Sequence, residues 1–208
     1  MNFLEFQEKM RDFPYFETKE LKVVLGDDFT STALYNLKNW VKKGSVLMLR
    51  RGFYCLASAA KKETEMIAFS TKLYAPSYVS MESALSFYGI IPEAVFTATS
   101  VTTRKTKRFK TPVGNFQYRK IKKQAFGGFE TRSEKGISFN LALPEKAVVD
   151  FLYLNRNILE GSREEFLGYR FNEDFSFDAG RLIYFAEVFG NKKVLLLTQN
   201  FIKQYVAK

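Results

Sequence analysis

Apolar side chains in the first sixty residues recur three and four positions apart in short bursts, and each burst is closed by a breaker. Phe3, Phe6 and Met10 share one side of a predicted helix, which the Asp12-Phe13-Pro14 stretch must end because proline fixes φ and has no amide proton. Thr18 stands as an N-cap before Leu21, Val24 and Leu25, and that helical run stops at Gly26. After Asp27-Asp28-Phe29, the Thr30-Ser31-Thr32 run supplies another cap, and a third helix is predicted as far as Lys43, with Gly44 as its stop. On a helical wheel Ala33, Leu34, Leu37, Trp40 and Val41 gather within an arc of about 120°, the width of a core-facing stripe. The pattern then becomes strand-like, with two β-prone runs at 45–49 and 53–56 around an Arg50-Arg51-Gly52 turn. Two helices joined by a tight turn and followed by a hairpin predict a winged helix-turn-helix over residues 1–60.

Residues 61–208 read differently. Ala57-Ser58-Ala59-Ala60-Lys61-Lys62-Glu63 forms a connection, and a helical pattern covers 64–74. Ser80 is placed to cap a helix carrying Met81, Ala84, Leu85 and Tyr88, ended by Gly89 and Pro92. Strands are expected at 95–103, where β-branched residues dominate, at 114–121, and at 137–141, where Ile137, Phe139 and Leu141 alternate with smaller or polar neighbours. Together they suggest one antiparallel sheet. Pro144 suits the first turn of a helix running to Leu154, and Ser162-Arg163-Glu164-Glu165 has the capping-box form. Helical patterns at 178–189 and 193–206 complete the chain. The expected fold class is α+β: an N-terminal winged helix-turn-helix, then a mixed α/β domain with an antiparallel sheet.

Composition changes the picture through charge. Thirty-two Lys and Arg against 22 Asp and Glu give a net +10, which points to a polyanionic partner. The excess is local: residues 101–135 hold 11 basic and 2 acidic side chains, while 136–208 hold 9 of each. A second basic stretch lies at 30–56, where Lys38, Lys42, Lys43, Arg50 and Arg51 meet no carboxylate. On the third helix the side opposite the apolar stripe carries Thr32, Tyr35, Asn36, Asn39 and Lys43, with Lys42 beside it. Such a face suits a major groove, because Asn can pair with adenine and Lys with guanine, whereas acids would be repelled by phosphates. Arg50 and Arg51 at the hairpin tip would then reach phosphates or the minor groove. In the second basic stretch, Arg104, Lys105, Lys107, Arg108 and Lys110 precede Arg119, Lys120, Lys122 and Lys123, and one hairpin carrying all nine would present a supplementary basic surface.

The absence of histidine excludes Ser-His and Cys-His nucleophile pairs, His-ligated zinc and imidazole bases. Cys55 is single, and reads as a small buried hydrophobe; Trp40 likewise reads as core. The opening residues lack the basic region of a signal peptide and no apolar run approaches the roughly 18 residues of a spanning helix, so a cytoplasmic protein without a membrane partner is expected. Gly161-Ser162 with Asp174 and Asp178 resembles a nucleotidyltransferase signature only superficially, since the two aspartates are four apart rather than two. Gly127-Gly128 lacks the continuation of a phosphate-cradling loop. No catalytic residue, metal or cofactor is expected.

The order of segments resembles the AbiEi-type antitoxin family of bacterial abortive-infection toxin–antitoxin systems. The resemblance spans nearly the whole chain and rests on Leu49-Arg50-Arg51-Gly52-Phe53-Tyr54, on Tyr78-Val79-Ser80-Met81-Glu82-Ser83-Ala84-Leu85 with Gly89-Ile90-Ile91-Pro92-Glu93, on Val101-Thr102-Thr103-Arg104, and on Pro144-Glu145-Lys146-Ala147-Val148-Val149-Asp150. It implies a repressor that binds inverted repeats in its own operon's promoter, with residues 61–208 supporting neutralisation of a nucleotidyltransferase-like toxin. The alternatives are a winged-helix regulator that stands alone without a toxin and, last, a metal-dependent nucleic-acid enzyme.

Overall fold

The structure, a computed structural model, describes residues 1–59, 63–92, 96–134 and 136–206. Its N-terminal part runs α1 (Phe3–Met10), β1 (Phe16–Glu17), α2 (Thr18–Leu25), α3 (Ser31–Lys42), β2 (Val46–Arg50) and β3 (Phe53–Leu56). The three strands make an antiparallel sheet in the order β1-β3-β2. Asn2 and Glu5 close a capping box on α1, and Thr30 Oγ1 accepts from the Ala33 amide at 3.2 Å to start α3. At α2 the expected cap shifts by one residue: Glu17 takes that position, and Glu20 returns the bond to its amide at 2.7 Å. Phe6, Met10, Phe16, Leu21, Leu25, Leu37, Trp40, Val46 and Leu56 form the core of this part.

The hairpin has a second apolar side. Leu49, Phe53 and Cys55 are buried in the larger core formed with the rest of the chain, and the Tyr15 ring stacks on Phe53 at 4.9 Å while meeting Phe69 edge-on at 6.1 Å. Residues 60–62 of the expected connection lie outside the described residues, but the packing passes through the hairpin, which belongs to both cores.

The second part contains α4 (Glu63–Leu73), β4 (Ser77–Val79), α5 (Glu82–Phe87), β5 (Thr97–Thr102), β6 (Lys107–Thr111), β7 (Gly114–Lys120), β8 (Phe129–Glu134), β9 (Ile137–Ala142), α6 (Pro144–Asn155), α7 (Arg163–Gly168), α8 (Ala179–Val188) and α9 (Lys192–Tyr205). The sheet has six strands in the order β6-β7-β5-β4-β9-β8 and is mixed, which corrects the expectation of an antiparallel one. The reason is topological: β7 returns from the hairpin with β6 and inserts beside β5, so β5 and β7 run parallel, as do β4 and β9. The expected strand at 95–103 is found as Thr97–Thr102, with Val95 outside the described residues.

Helix α4 covers one face of the sheet, where Tyr118 donates to the Ser70 carbonyl at 2.6 Å. Helices α5 and α6 cover the other, so the sheet lies between two helical layers, and α8 and α9 pack against α6. Burial of the Tyr118 ring pushes its phenol well above the usual tyrosine range. Ser80 does not cap α5. Met81, at φ 56°, holds the cap position, and the Ser80 hydroxyl donates instead to Asp150 at 2.8 Å. Among the described residues no helix is long and apolar enough to cross a membrane.

Candidate nucleic-acid interface

Helix α3 is oriented by its buried residues. Ala33, Leu37 and Trp40 are buried, and the Trp40 ring lies 5.4 Å from Phe3 and 4.7 Å from Phe6. The opposite side is thereby turned outward: Thr32, Tyr35, Lys42 and Lys43 are exposed and Asn36 and Asn39 half-buried, with Tyr35 at 64%. One Asn36 amide proton goes to the Met1 carbonyl at 3.4 Å. Among the described residues Lys38, Lys42, Lys43 and Arg51 enter no ion pair, so their charges face solvent uncompensated.

Two acids stand just ahead of the helix, in the 3-10 turn Gly26–Asp28. Lys9 Nζ holds Asp28 at 2.7 Å, and that hydrogen bond keeps the carboxyl below its ordinary range. The turn's charge is therefore partly neutralised from α1.

The hairpin tip divides the two arginines assigned to it. Arg51 is exposed. Arg50 is spent on the protein itself: Nε donates to the Leu73 carbonyl at 2.8 Å, Nη1 to the Arg51 carbonyl at 3.3 Å, Nη2 reaches Glu17 Oε1 at 3.5 Å, and the guanidinium lies 5.3 Å from the Phe53 ring centre. Three of its five N–H donors are thus engaged within the protein, which ranks Arg50 behind Arg51 as a phosphate contact. Its work is to tie the hairpin to the end of α4.

The supplementary basic surface also divides. Arg104 stacks over Tyr74 at 4.5 Å and donates to the Ala75 carbonyl at 3.1 Å, while Lys107 sits 4.8 Å from Phe109. Arg119 donates to the Leu154 carbonyl at 2.6 Å, and Lys122 to the Phe189 carbonyl at 2.9 Å. Both carbonyls belong to helix C-terminal ends, where unpaired oxygens and the helix dipole attract cations. Arg108 and Lys110 are exposed on β6, an edge of the sheet, and Lys105, Lys120 and Lys123 are exposed near the strand ends. Strand alternation places Arg108 and Lys110 on one side of the hairpin and Lys107 on the other, so the expected single surface carrying all nine is not formed.

A polar cluster that charge counting does not find lies deeper. Lys146 and Asp150 are buried on α6 and form an ion pair, and Asp150 also accepts from the Tyr78 and Ser80 hydroxyls at 2.8 Å each. Lys146 Nζ lies 4.6 Å from the Phe189 ring centre. Burial and the adjacent Asp150 carboxylate raise the Tyr78 phenol well above its usual range. The available sequence signal is a Lys and an Asp four apart, one helical turn, in the otherwise apolar run Ala147-Val148-Val149-Asp150-Phe151-Leu152.

The fragments weighed for catalysis have structural uses. Ser162 caps α7, and Asp178 caps α8, accepting from the Arg181 amide at 3.0 Å. Among the described residues no three His, Cys, Asp or Glu side chains are grouped to hold a metal ion. Compared with known proteins, the chain matches no family model and no curated protein.

Proposed function

We propose that the chain is a sequence-specific double-stranded DNA-binding repressor, with Thr32, Tyr35, Asn36 and Asn39 of α3 and its C-cap Lys43 in the major groove and Lys42 and Arg51 on flanking phosphates. The observation that carries this reading is the outward face of α3, which has amide, hydroxyl and ammonium groups, no carboxylate and, among the described residues, no ion pair. The order helix, strand, helix, helix, strand, strand, with β3 between β1 and β2, supports a winged helix-turn-helix. Promoter occlusion would be the mechanism. The resemblance adds that the protein regulates its own operon and acts as the antitoxin to a nucleotidyltransferase-like toxin, with the second part in the latter role.

A gel-shift titration of wild-type and variant full-length chains on the operon's promoter fragment and on random duplex tests the reading. Asn36→Ala should lower the preference for promoter over random DNA by about 1–3 kcal/mol, while Arg51→Ala should weaken both equally. Equal losses on both DNAs for both variants would refute this division of labour.

A further inference from the structure

The registers of β5, β6 and β7 define a second polar surface, far from α3 in sequence. Arg108 pairs with Gln117 and Gln117 with Thr99; Lys110 pairs with Asn115, and Arg119 with Val101. Paired residues share a face, so Arg108, Lys110, Asn115, Gln117 and Arg119 stand together, opposite the side where Phe116 and Tyr118 pack toward α4. The three strands put no carboxylate on this face. It leads into a groove of about 500 Å³ beneath α5, α6 and α7, a size in the range of ligand pockets.

The groove's walls are largely apolar, with Leu85, Phe151 and Phe171 among them, and its polar lining residues are Glu82, Thr97, Thr99, Gln117, Arg119 and Tyr169. The Gln117 amide is half-buried and has no hydrogen-bond partner among the described residues. Among the described residues, both non-glycine residues with left-handed φ are at this place: Met81 (56°) lines the groove, and Arg170 (51°) lies between the lining residues Tyr169 and Phe171. Such backbone costs free energy and is held where the surroundings fix it.

We propose that this groove takes a nucleobase and the adjoining sheet face its phosphate. The apolar, aromatic lining suits a base, the Gln117 amide offers a donor and an acceptor to its edge, Glu82 accepts from an amino or ring N–H, and Arg108, Lys110 and the remaining donors of Arg119 meet the phosphate. A free nucleotide and a single-stranded segment share this chemistry. The site uses no residue of α3 and stands whether or not α3 reads a duplex.

Calorimetric titration of the full chain with the four nucleoside monophosphates, a short single-stranded oligonucleotide and a duplex of the same sequence tests it. Saturable binding of a monophosphate or the single strand is expected, weakened about tenfold by Gln117→Ala and by Arg108→Glu. Asn36→Ala should leave it unchanged. Tighter binding of the oligonucleotide would assign the site to a strand, and equal binding to a free nucleotide. Both side chains reach solvent, so unaltered thermal melting of the variants will show that the fold is kept. Binding confined to the duplex, no saturable binding at all, or a loss that follows Asn36→Ala rather than Gln117→Ala would overturn the proposal.

Discussion

The two basic stretches of this chain use their cations in different ways. On α3 and at the tip of the hairpin, Lys38, Lys42, Lys43 and Arg51 enter no ion pair among the described residues. In residues 101–123, where the charge is densest, Arg104, Arg119 and Lys122 are bonded to backbone carbonyls and Arg104 and Lys107 lie over aromatic rings, while the exposed Lys105, Arg108, Lys110, Lys120 and Lys123 are scattered over β6 and the strand ends. Net charge counts both kinds alike, yet only an uncommitted cation gains a phosphate without losing an internal partner. The uncommitted cations of the first stretch, gathered beside one carboxylate-free helix face, make it the stronger candidate for duplex DNA. If this contrast is right, removing a committed cation should cost stability, and removing a free one should cost binding alone.

The largest effect belongs to the most committed cation. Lys146→Met would leave Asp150 buried with only two hydroxyl partners for a full negative charge, a loss of about 3–5 kcal/mol for a buried pair broken on one side. Urea unfolding of wild type and variant should show this as a lower midpoint at unchanged slope. The double change Lys146→Met with Asp150→Asn should recover part of the loss, because no uncompensated charge remains. An unchanged midpoint in the single variant would mean that buried partners do not set the worth of these cations.

That cluster also shows where sequence reading stops. Most helices were legible because caps and breakers act locally: Thr30 and Gly44 bound α3, and Pro144 opens α6. Three strands of the mixed sheet were not. Strand β4 is three residues long, β6 looks like a charge run because Phe109 is its single large apolar residue, and β8 reads Phe-Glu-Thr-Arg-Ser-Glu. These strands are specified by neighbours distant in the chain rather than by their own pattern. The outward face of α3 was legible because a helix with one apolar stripe has a determinate opposite side. The fates of Arg50, Arg119 and Lys122 were not, since their carbonyl partners lie 23, 35 and 67 positions away.

A smaller effect is expected at the hairpin. Arg50→Ala removes bonds to the Leu73 carbonyl and to Glu17, and its side chain is one-third exposed, so water compensates part of the loss. A cost of about 1 kcal/mol is expected, visible as a lowered urea midpoint. Arg50→Lys should restore little, because an ammonium cannot span a carbonyl and a carboxylate in the fork geometry of a guanidinium. If Arg50→Ala leaves stability unchanged and instead weakens promoter binding, Arg50 returns to the DNA-facing set.

The smallest change in stability should come from the next residue. Arg51 is exposed and enters no ion pair among the described residues, so Arg51→Ala is expected to leave the unfolding midpoint within experimental scatter. Its effect should appear in the salt dependence of binding. Each phosphate neutralised contributes about 0.9 to the slope of log affinity against log salt, and the loss of one contact should flatten the line by about that amount on promoter and random DNA alike. Measured side by side, Arg50→Ala and Arg51→Ala separate the two uses of charge across a single peptide bond: one shifts the urea midpoint at constant salt slope, and the other shifts the slope at constant midpoint. A slope unchanged by Arg51→Ala would place the hairpin tip away from the DNA and leave α3 to hold the duplex without it.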